Sequence, residues 1–205
     1  MNAPRARRFV SLDNERGMTL IEVVVAISIL AVLATASLGV YLSGISASSA
    51  QQRRDVAVTI ASQELEKIGT VLPSALYTGR SAVAVQNLRA ANLTIPGVAQ
   101  MYLASGAAGA VEVPLTDARE LSGTKYDITT LIGTCFQDKR GGTCTASAGT
   151  PPTQPSTIPA GKTLLSRVIV VVRWSAGSGC KPTACYYQAS TLVDTNNDLK
   201  WNFHG

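Results

Sequence analysis

The chain has 205 residues, and its 18 Lys and Arg residues against 13 Asp and Glu residues give a formal charge of +5. This length fits one domain with a modest core. The positive charges are spread along the chain and aromatic residues make up only 5% of it, so nucleic acid is not an expected partner. The single histidine, His204, stands near the end of the sequence without a Ser-His-Asp or Cys-His arrangement around it. The composition therefore predicts neither an enzyme nor a cofactor.

An apolar segment of 25 residues, Met18 to Leu42, contains only one charged residue, Glu22. As a helix this segment is about 37 Å long, which is enough to cross a hydrocarbon core of about 30 Å. The residues before it are mostly cationic: Arg5, Arg7, Arg8 and Arg16 against Asp13 and Glu15. Because positive flanks are retained in the cytoplasm, the sequence predicts a single span with the C-terminal remainder outside.

Two simple explanations of this segment leave Glu22 without a role. A secretory signal peptide cleaved after Ala34–Ala36 would place the carboxylate in its apolar core, and the apolar run continues past that site. A plain signal anchor accounts for length and orientation only. A charged side chain at the centre of a bilayer costs about 2.5 kcal/mol or more, so Glu22 calls for a specific explanation.

The order Gly17, Met18-Thr-Leu-Ile-Glu22, then a long apolar run, resembles the class III signal sequence of the type IV pilin-like family. The resemblance implies that a prepilin peptidase cuts after Gly17 and methylates the new N-terminal amine of Met18. It also implies that Glu22 pairs with the amine of a neighbouring subunit and so sets the register between subunits. The alternative is a carboxylate that only extends to the headgroup layer.

Two departures from the pattern of major pilins point to a minor subunit. Met18 stands where major pilins usually have Phe, and Gly39 stands where they commonly have a proline. The chain is most similar to a PilV-type minor pilin, a structural subunit of pilus assembly or priming, with adhesion or DNA uptake as further roles. The alternatives are a minor pseudopilin of a type II secretion system and, from another class, a membrane-anchored extracytoplasmic enzyme or binding domain.

The minor pilin hypothesis implies a set of partners and a location. The partners are prepilin peptidase, other pilins or minor pilins, an inner-membrane assembly platform and membrane lipid. The protein would first lie in the inner membrane as a single-pass protein with its head outside, and then in a pilus or at the cell surface.

The helix is expected to continue well beyond the apolar segment, because no proline occurs before Pro73. From Ser43 onward the apolar residues follow helical spacing on one face, namely Val56, Ile60, Ala61, Leu65, Ile68 and Leu72. The other faces are assigned mostly to charged residues, namely Arg53, Arg54, Glu64, Glu66 and Lys67. The predicted organisation is a leader at 1–17, a helix at 18–72 with its membrane part at 18–42, and a β-rich extracytoplasmic head at 73–205.

The head is predicted to be a small antiparallel sheet packed on this helix, which makes the fold class α+β and pilin-like. "AVAVQNL" from Ala82 and "VAQMYLA" from Val98 are ambiguous short strands, whereas "AVEVPL" from Ala110 and "KYDITTLIG" from Lys125 alternate better. "LLSRVIVVVRW" carries the apolar run Val168–Val172 of a central strand, and "CYYQASTLVD" from Cys185 is the last strand. Residues 141–163 form a Gly-, Ser-, Thr- and Pro-rich loop.

Four cysteines follow the apolar segment: Cys135, Cys144, Cys180 and Cys185. An even number in an oxidising compartment predicts two disulfides, and three pairings are possible. The pairing Cys135–Cys144 with Cys180–Cys185 is favoured because each bond closes a short loop. A zinc site is the rival interpretation, but the spacing lacks paired C-x2-C motifs.

One weak metal signal occurs near the end of the sequence. Asp194, Asn196 and Asp198 match the first half of a calcium loop, although the glycine and later glutamate of an EF-hand are missing. Some related secretion pseudopilins hold calcium near their C-terminus. A polar turn after the last strand is the default interpretation, so no metal is assigned.

Overall fold

The structure is a computed structural model that describes residues 18–146, 154–175 and 185–194. Within them the elements are helix α1 (Leu20–Gly69), helix α2 (Ala82–Ala90), a 3-10 helix (Val98–Gln100), and strands β1 (Tyr102–Leu103), β2 (Thr116–Leu121), β3 (Thr124–Asp138), β4 (Lys162–Trp174) and β5 (Tyr186–Asp194). The chain divides into two compact units, Met1–Ser48 and Ser49–Gly205. A long N-terminal helix packs on a small antiparallel sheet, which confirms the α+β, pilin-like fold class.

Helix α1 is uninterrupted for 50 residues. Gly39 and Gly44 weaken a helix without ending it, and no proline intervenes. The helix ends at Gly69, so the prediction of an end at 72 was three residues too long. The amide of Val71 closes the last turn by donating to the carbonyl of Ile68 at 3.0 Å.

The sheet has the order β1–β3–β4–β5, and β2 pairs separately with the first half of β3. All neighbouring strands are antiparallel. The prediction that β4 is central is confirmed, because all five residues of Val168–Val172 are 0% exposed. Strand β2 turns into β3 through Ser122 and Gly123, whose φ values of 51° and 69° are those of a type I′ turn.

One face of the sheet packs against the second half of α1. Opposite residues of an antiparallel ladder share a face, so Ile128 with Val172 and Ile132 with Val168 form side-by-side pairs there. The helix adds Ala57, Ile60, Ala61 and Ile68, all buried. Fully burying one such aliphatic side chain stabilises the fold by about 1.5–3 kcal/mol. The predicted helical face is confirmed, except that Leu72 lies beyond the helix and is exposed.

The other face of the sheet is covered by the segment between α2 and β1. Ile169 and Val171 of β4 contact Leu131 of β3 and the buried side chains of that segment, Ile95, Val98 and Met101. Beside them, the disulfide Cys135–Cys144 packs on Leu165 as a small separate cluster. Strand β4 is therefore apolar throughout its centre because both of its faces are covered.

One strand prediction was wrong, and one of the two ambiguous segments is a helix. The segment from Ala82 is helix α2, because Ser81 caps it by accepting a hydrogen bond from the amide of Ala84 at 3.3 Å. The segment Ala110–Leu115 is irregular, and the pairing strand β2 follows it. The ambiguous stretch from Val98 is divided between the 3-10 helix and the two-residue strand β1.

Glu64 was assigned to a solvent face, and this assignment was also wrong. The residue is 4% exposed and its carboxylate forms an ion pair with Arg119 of β2. Glu64 lies four residues after Ile60 and four before Ile68, so it belongs to the buried stripe of the helix. The prediction relied on the charge of Glu64, but the position of a residue along the helix decides which side it faces.

Candidate assembly site at the start of the first helix

The start of α1 is closed by a reciprocal pair of side chains, Thr19 and Glu22. The backbone N–H and the hydroxyl of Thr19 each donate to Glu22 Oε2 at 2.9 Å, and the backbone N–H of Glu22 donates to Thr19 Oγ1 at 3.4 Å. The carbonyl of Thr19 accepts the first helical hydrogen bond, from the amide of Val23 at 3.3 Å. This geometry is a capping box with Thr19 as the N-cap.

The capping box holds the Glu22 carboxylate at the positive end of the helix dipole, within one turn of Met18. Both bonds from Thr19 reach Oε2, and Oε1 accepts none from the residues that the structure describes. Glu22 therefore keeps acceptor capacity for a donor on another molecule. The role of Thr19 was missed in the sequence, although a Thr-x-x-Glu pattern before an apolar run is a known signal for a helix start.

The first part of α1 exposes apolar side chains on every side. Large side chains that are exposed between Met18 and Leu42 include Leu20, Ile21, Ile27, Ile29, Leu30, Val32, Leu33, Leu38 and Val40. A helix that is apolar all round is expected in lipid or among other apolar helices, not in water. The segment thus needs an environment other than solvent.

After the capping box, the serine and threonine hydroxyls along this apolar part bond to the backbone of the same helix. Ser28 Oγ donates to the carbonyl of Val24 at 2.8 Å, Ser37 Oγ to that of Leu33 at 2.8 Å, and Ser43 Oγ to that of Gly39 at 2.9 Å. In hydrocarbon an unpaired polar group costs several kcal/mol, so this internal pairing removes an obstacle to insertion. Length and composition make α1 the one described helix able to cross a membrane.

The structure covers only part of the predicted processing site. Gly17 lies outside the described residues, and Met18, which follows it, is 75% exposed. Glu22 lies four residues beyond Met18 in the first turn of α1. The geometry thus brings Met18 and Glu22 to one end of the helix, while cleavage and methylation remain predictions.

The predicted disulfide and calcium sites are described only in part. The bond Cys135–Cys144 is present, as predicted. The pairing of Cys180 with Cys185 involves a residue outside the described ranges. Asp194 ends β5 opposite Leu165, whereas Asn196 and Asp198 also lie outside those ranges. Among described residues no group of three or more His, Cys, Asp or Glu side chains could hold a metal ion.

The prokaryotic N-terminal methylation motif matches residues 12–38, which include Gly17, Met18 and Glu22. No curated protein and no solved structure matches the chain. The motif supports a class III signal and a type IV pilin-like or pseudopilin-like protein. Together with the apolar helix it also supports membrane anchoring with an extracellular head.

Proposed function

We propose that the protein is a minor type IV pilin of the PilV type that takes part in pilus assembly or priming. The observation that carries the proposal is the helix start, where a single carboxylate follows the peptidase site inside the methylation motif. The apolar surface beyond it is exposed on all sides, and its serine hydroxyls bond to carbonyls of the same helix. Such a helix can lie in a membrane before assembly and can later pack among the helices of other subunits.

The proposed mechanism begins with exposure of an amine. Cleavage after Gly17 by prepilin peptidase leaves Met18 as the first residue, and methylation of its amine retains the positive charge. Glu22 of one subunit then accepts a hydrogen bond from the Met18 amine of a neighbour, using the oxygen that Thr19 does not occupy. Because charges attract strongly in a low dielectric, this pair can select one axial position between otherwise apolar helices.

The partners follow from the same mechanism. They are prepilin peptidase, the helices of other pilins or minor pilins, an inner-membrane assembly platform and the lipid around the helix. The location is the inner membrane before assembly, and a pilus or the cell surface afterwards. The exposed apolar helix supports these assignments, because it requires either lipid or other helices around it.

The N-terminus of the mature protein tests the processing step. Protein purified from membranes is expected to begin at Met18 and to carry one methyl group on its amine, as measured by N-terminal sequencing and intact mass. Replacement of Gly17 by Val should leave the leader uncut. A mature protein that begins near Ser37, or one that retains Met1, would contradict the proposal.

The assembly step is tested by the variants Glu22→Ala and Glu22→Gln. Both should remain in the membrane and be processed, because the cut lies before Met18, but both should be lost from the assembled filament. Ser28→Ala is the matched control, since it changes a polar side chain that bonds only within its own helix. Filaments that contain normal amounts of the Glu22 variants would rule out this role of the carboxylate.

A minor pseudopilin of a type II secretion system would give the same results in both experiments. Deletion of the gene separates the two, because loss of surface pili indicates a pilin, whereas loss of secreted enzymes indicates a pseudopilin. A membrane-anchored enzyme or binding domain should retain its activity when Glu22 is replaced by Ala.

A further inference from the structure

A cleft of ≈ 310 Å³ lies on the face of the sheet that is turned away from α1. Strand β4 forms its floor with Arg167 and Ile169, and β5 forms its rim from Ser190 to Leu192. One wall is the backbone at Gly97, and the other is the loop from Gly142 to Cys144 that ends at the disulfide. A volume of this size is typical of small-ligand sites.

Arg167 reaches the cleft because odd-numbered residues of β4 point to this face, as Ile169 and Val171 do. Its guanidinium joins the two walls: Nη1 donates to the carbonyl of Gly97 at 3.4 Å and Nη2 to that of Cys144. A guanidinium has five N–H donors, so three remain after these bonds. Burial lowers the pKa of Arg167, since a partly desolvated cation lacks part of its hydration.

The charge of Arg167 has no carboxylate partner among the described residues, whose ion pairs involve other side chains. Arg173 provides an internal comparison, because it lies six residues along the same strand and on the same face. Its Nη2 donates to Asn92 Oδ1 at 2.7 Å, and it does not line the cleft. The two arginines thus differ in their surroundings. Arg167 borders the open cleft, whereas Arg173 does not.

We propose that this cleft binds a carboxylate, supplied either by a free organic acid or by an acidic side chain on a peptide, with Arg167 as the anchoring cation. Arginine pairs with carboxylate through two parallel hydrogen bonds. Among the described residues no second cation lines the cleft, which favours one carboxylate over a doubly charged phosphate.

The rest of the lining is consistent with this ligand class. Thr143 and Ser190 bring hydroxyl groups to the cleft, whereas Thr191 lies opposite Val168 and directs its side chain to the other face of the sheet. Among the described residues that line the cleft there is no aromatic ring for stacking of a base. Gly97 and Gly142 present backbone without side chains, so a ligand can approach closely. The volume of ≈ 310 Å³ lies at the lower end of the range for small-ligand pockets, which suits a carboxylate with a short carbon chain. The inference does not depend on the pilin proposal, because it concerns only the unit Ser49–Gly205.

The test uses the full-length chain in detergent micelles, with backbone amide shifts measured by NMR. Glutarate serves as the free acid and acetyl-Val-Glu-Val-amide as the peptide, while glutaramide and acetyl-Val-Gln-Val-amide are their uncharged counterparts. At least one acid is expected to shift the amides of Gly97, Gly142 and Ser190, and the tighter of the two identifies the source. Each amide should bind at least about tenfold more weakly than its acid, because it lacks the charge-assisted pair.

Three substitutions test the role of Arg167. Arg167→Gln should weaken acid binding about tenfold or more, Arg167→Lys should have an intermediate effect, and Arg173→Gln should have none. Since Arg167 also holds two loops, Ser190→Trp provides a second route: it fills the cleft from an exposed position and should abolish binding in a folded protein. Equal binding of acids and amides, no effect of Arg167→Gln, or no acid binding up to about 10 mM would overturn the proposal.

Discussion

The two halves of α1 satisfy their polar groups in different ways. Before Ser49 no described residue is buried, and hydroxyls such as that of Ser28 bond to carbonyls of the same helix. After Ser49 the helix buries one face, and its carboxylate at Glu64 bonds to Arg119 of another element, 55 residues away in sequence. Because the polar groups of the first half bond within the helix, that segment can exchange surrounding lipid for other helices without losing a hydrogen bond. The bond between Glu64 and Arg119 instead joins two elements and so specifies one tertiary arrangement.

The largest expected contrast comes from truncating one apolar side chain in each half. Ile60→Ala should lower the free energy of unfolding by about 3 kcal/mol, because Ile60 is buried between α1 and the sheet. Leu33→Ala should leave it unchanged, because that side chain is exposed. Urea unfolding of the full-length chain in micelles, followed by near-UV circular dichroism, measures both. Similar losses for the two variants would show that the first half also contributes to folding of the head.

The next contrast concerns the two members of the distant ion pair. Arg119→Ala should destabilise the fold by about 2 kcal/mol, because it leaves the buried Glu64 carboxylate without its cation. This cost is lower than is usual for a buried pair because Arg119 is 33% exposed, so solvent already screens the interaction. Glu64→Ala should cost less, since water can solvate the remaining arginine. The same unfolding assay ranks them, and the reverse order would mean that the arginine contributes mainly through packing of its stem.

The elements that the sequence predicts well are those whose signal is local and strong. The apolar run Val168–Val172 predicted a central strand, because a strand covered on both faces needs no alternation. The absence of proline predicted the long helix. The short separation of Cys135 and Cys144 correctly favoured their disulfide.

The failures occurred where tertiary context decides. "AVAVQNL" alternates like a strand, but Ser81 caps it and its buried Val85 faces the core as part of a helix. Strand β2 is an edge strand, and its side chains are exposed on both faces of the sheet. Its sequence therefore lacks the apolar alternation from which a strand is predicted. Nothing in the sequence singles out Arg167, since no sequence signal shows which loops meet over it.

The capping box offers a smaller test, confined to the first half. Thr19→Val should remove both hydrogen bonds of the Thr19 hydroxyl, the one that it donates to the Glu22 carboxylate and the one that it accepts from the Glu22 amide. The bond from the backbone N–H of residue 19 remains. The first helical turn should loosen, so that the amides near Glu22 exchange about fivefold faster. Hydrogen exchange of the full-length chain in micelles, measured by NMR, reports this change. Stability of the head should not change, because none of the described residues before Ser49 belongs to its core. Unchanged exchange would mean that Glu22 does not depend on the Thr19 hydroxyl for its position.

The smallest expected effect is a pH-dependent change in the free energy of unfolding. It is measured by comparing two hydroxyls, one bonded to a residue distant in sequence and one bonded within its own helix. Tyr77 Oη hydrogen-bonds Ser166 Oγ, whereas Ser28 bonds only within its helix. Tyr77→Phe should cost about 1 kcal/mol of unfolding free energy at neutral pH, and Ser28→Ala should cost nothing measurable. Chemical unfolding at a series of pH values provides the measurement.

Burial raises the pKa of Tyr77, against the opposing effects of the Ser166 hydrogen bond and of Arg80, whose own pKa burial lowers to about 10. The folded chain therefore holds the phenol proton more tightly than the unfolded chain does. This contribution to stability is complete below the unfolded pKa of about 10 and is lost as the pH rises through the higher folded value. Since both proteins contain Arg80, its titration largely cancels in the comparison, and the advantage of the wild type over Tyr77→Phe should shrink above about pH 10. An advantage that stays constant through the alkaline range would show that Tyr77 titrates alike in the folded and unfolded chains, and that its hydroxyl acts only through the bond to Ser166.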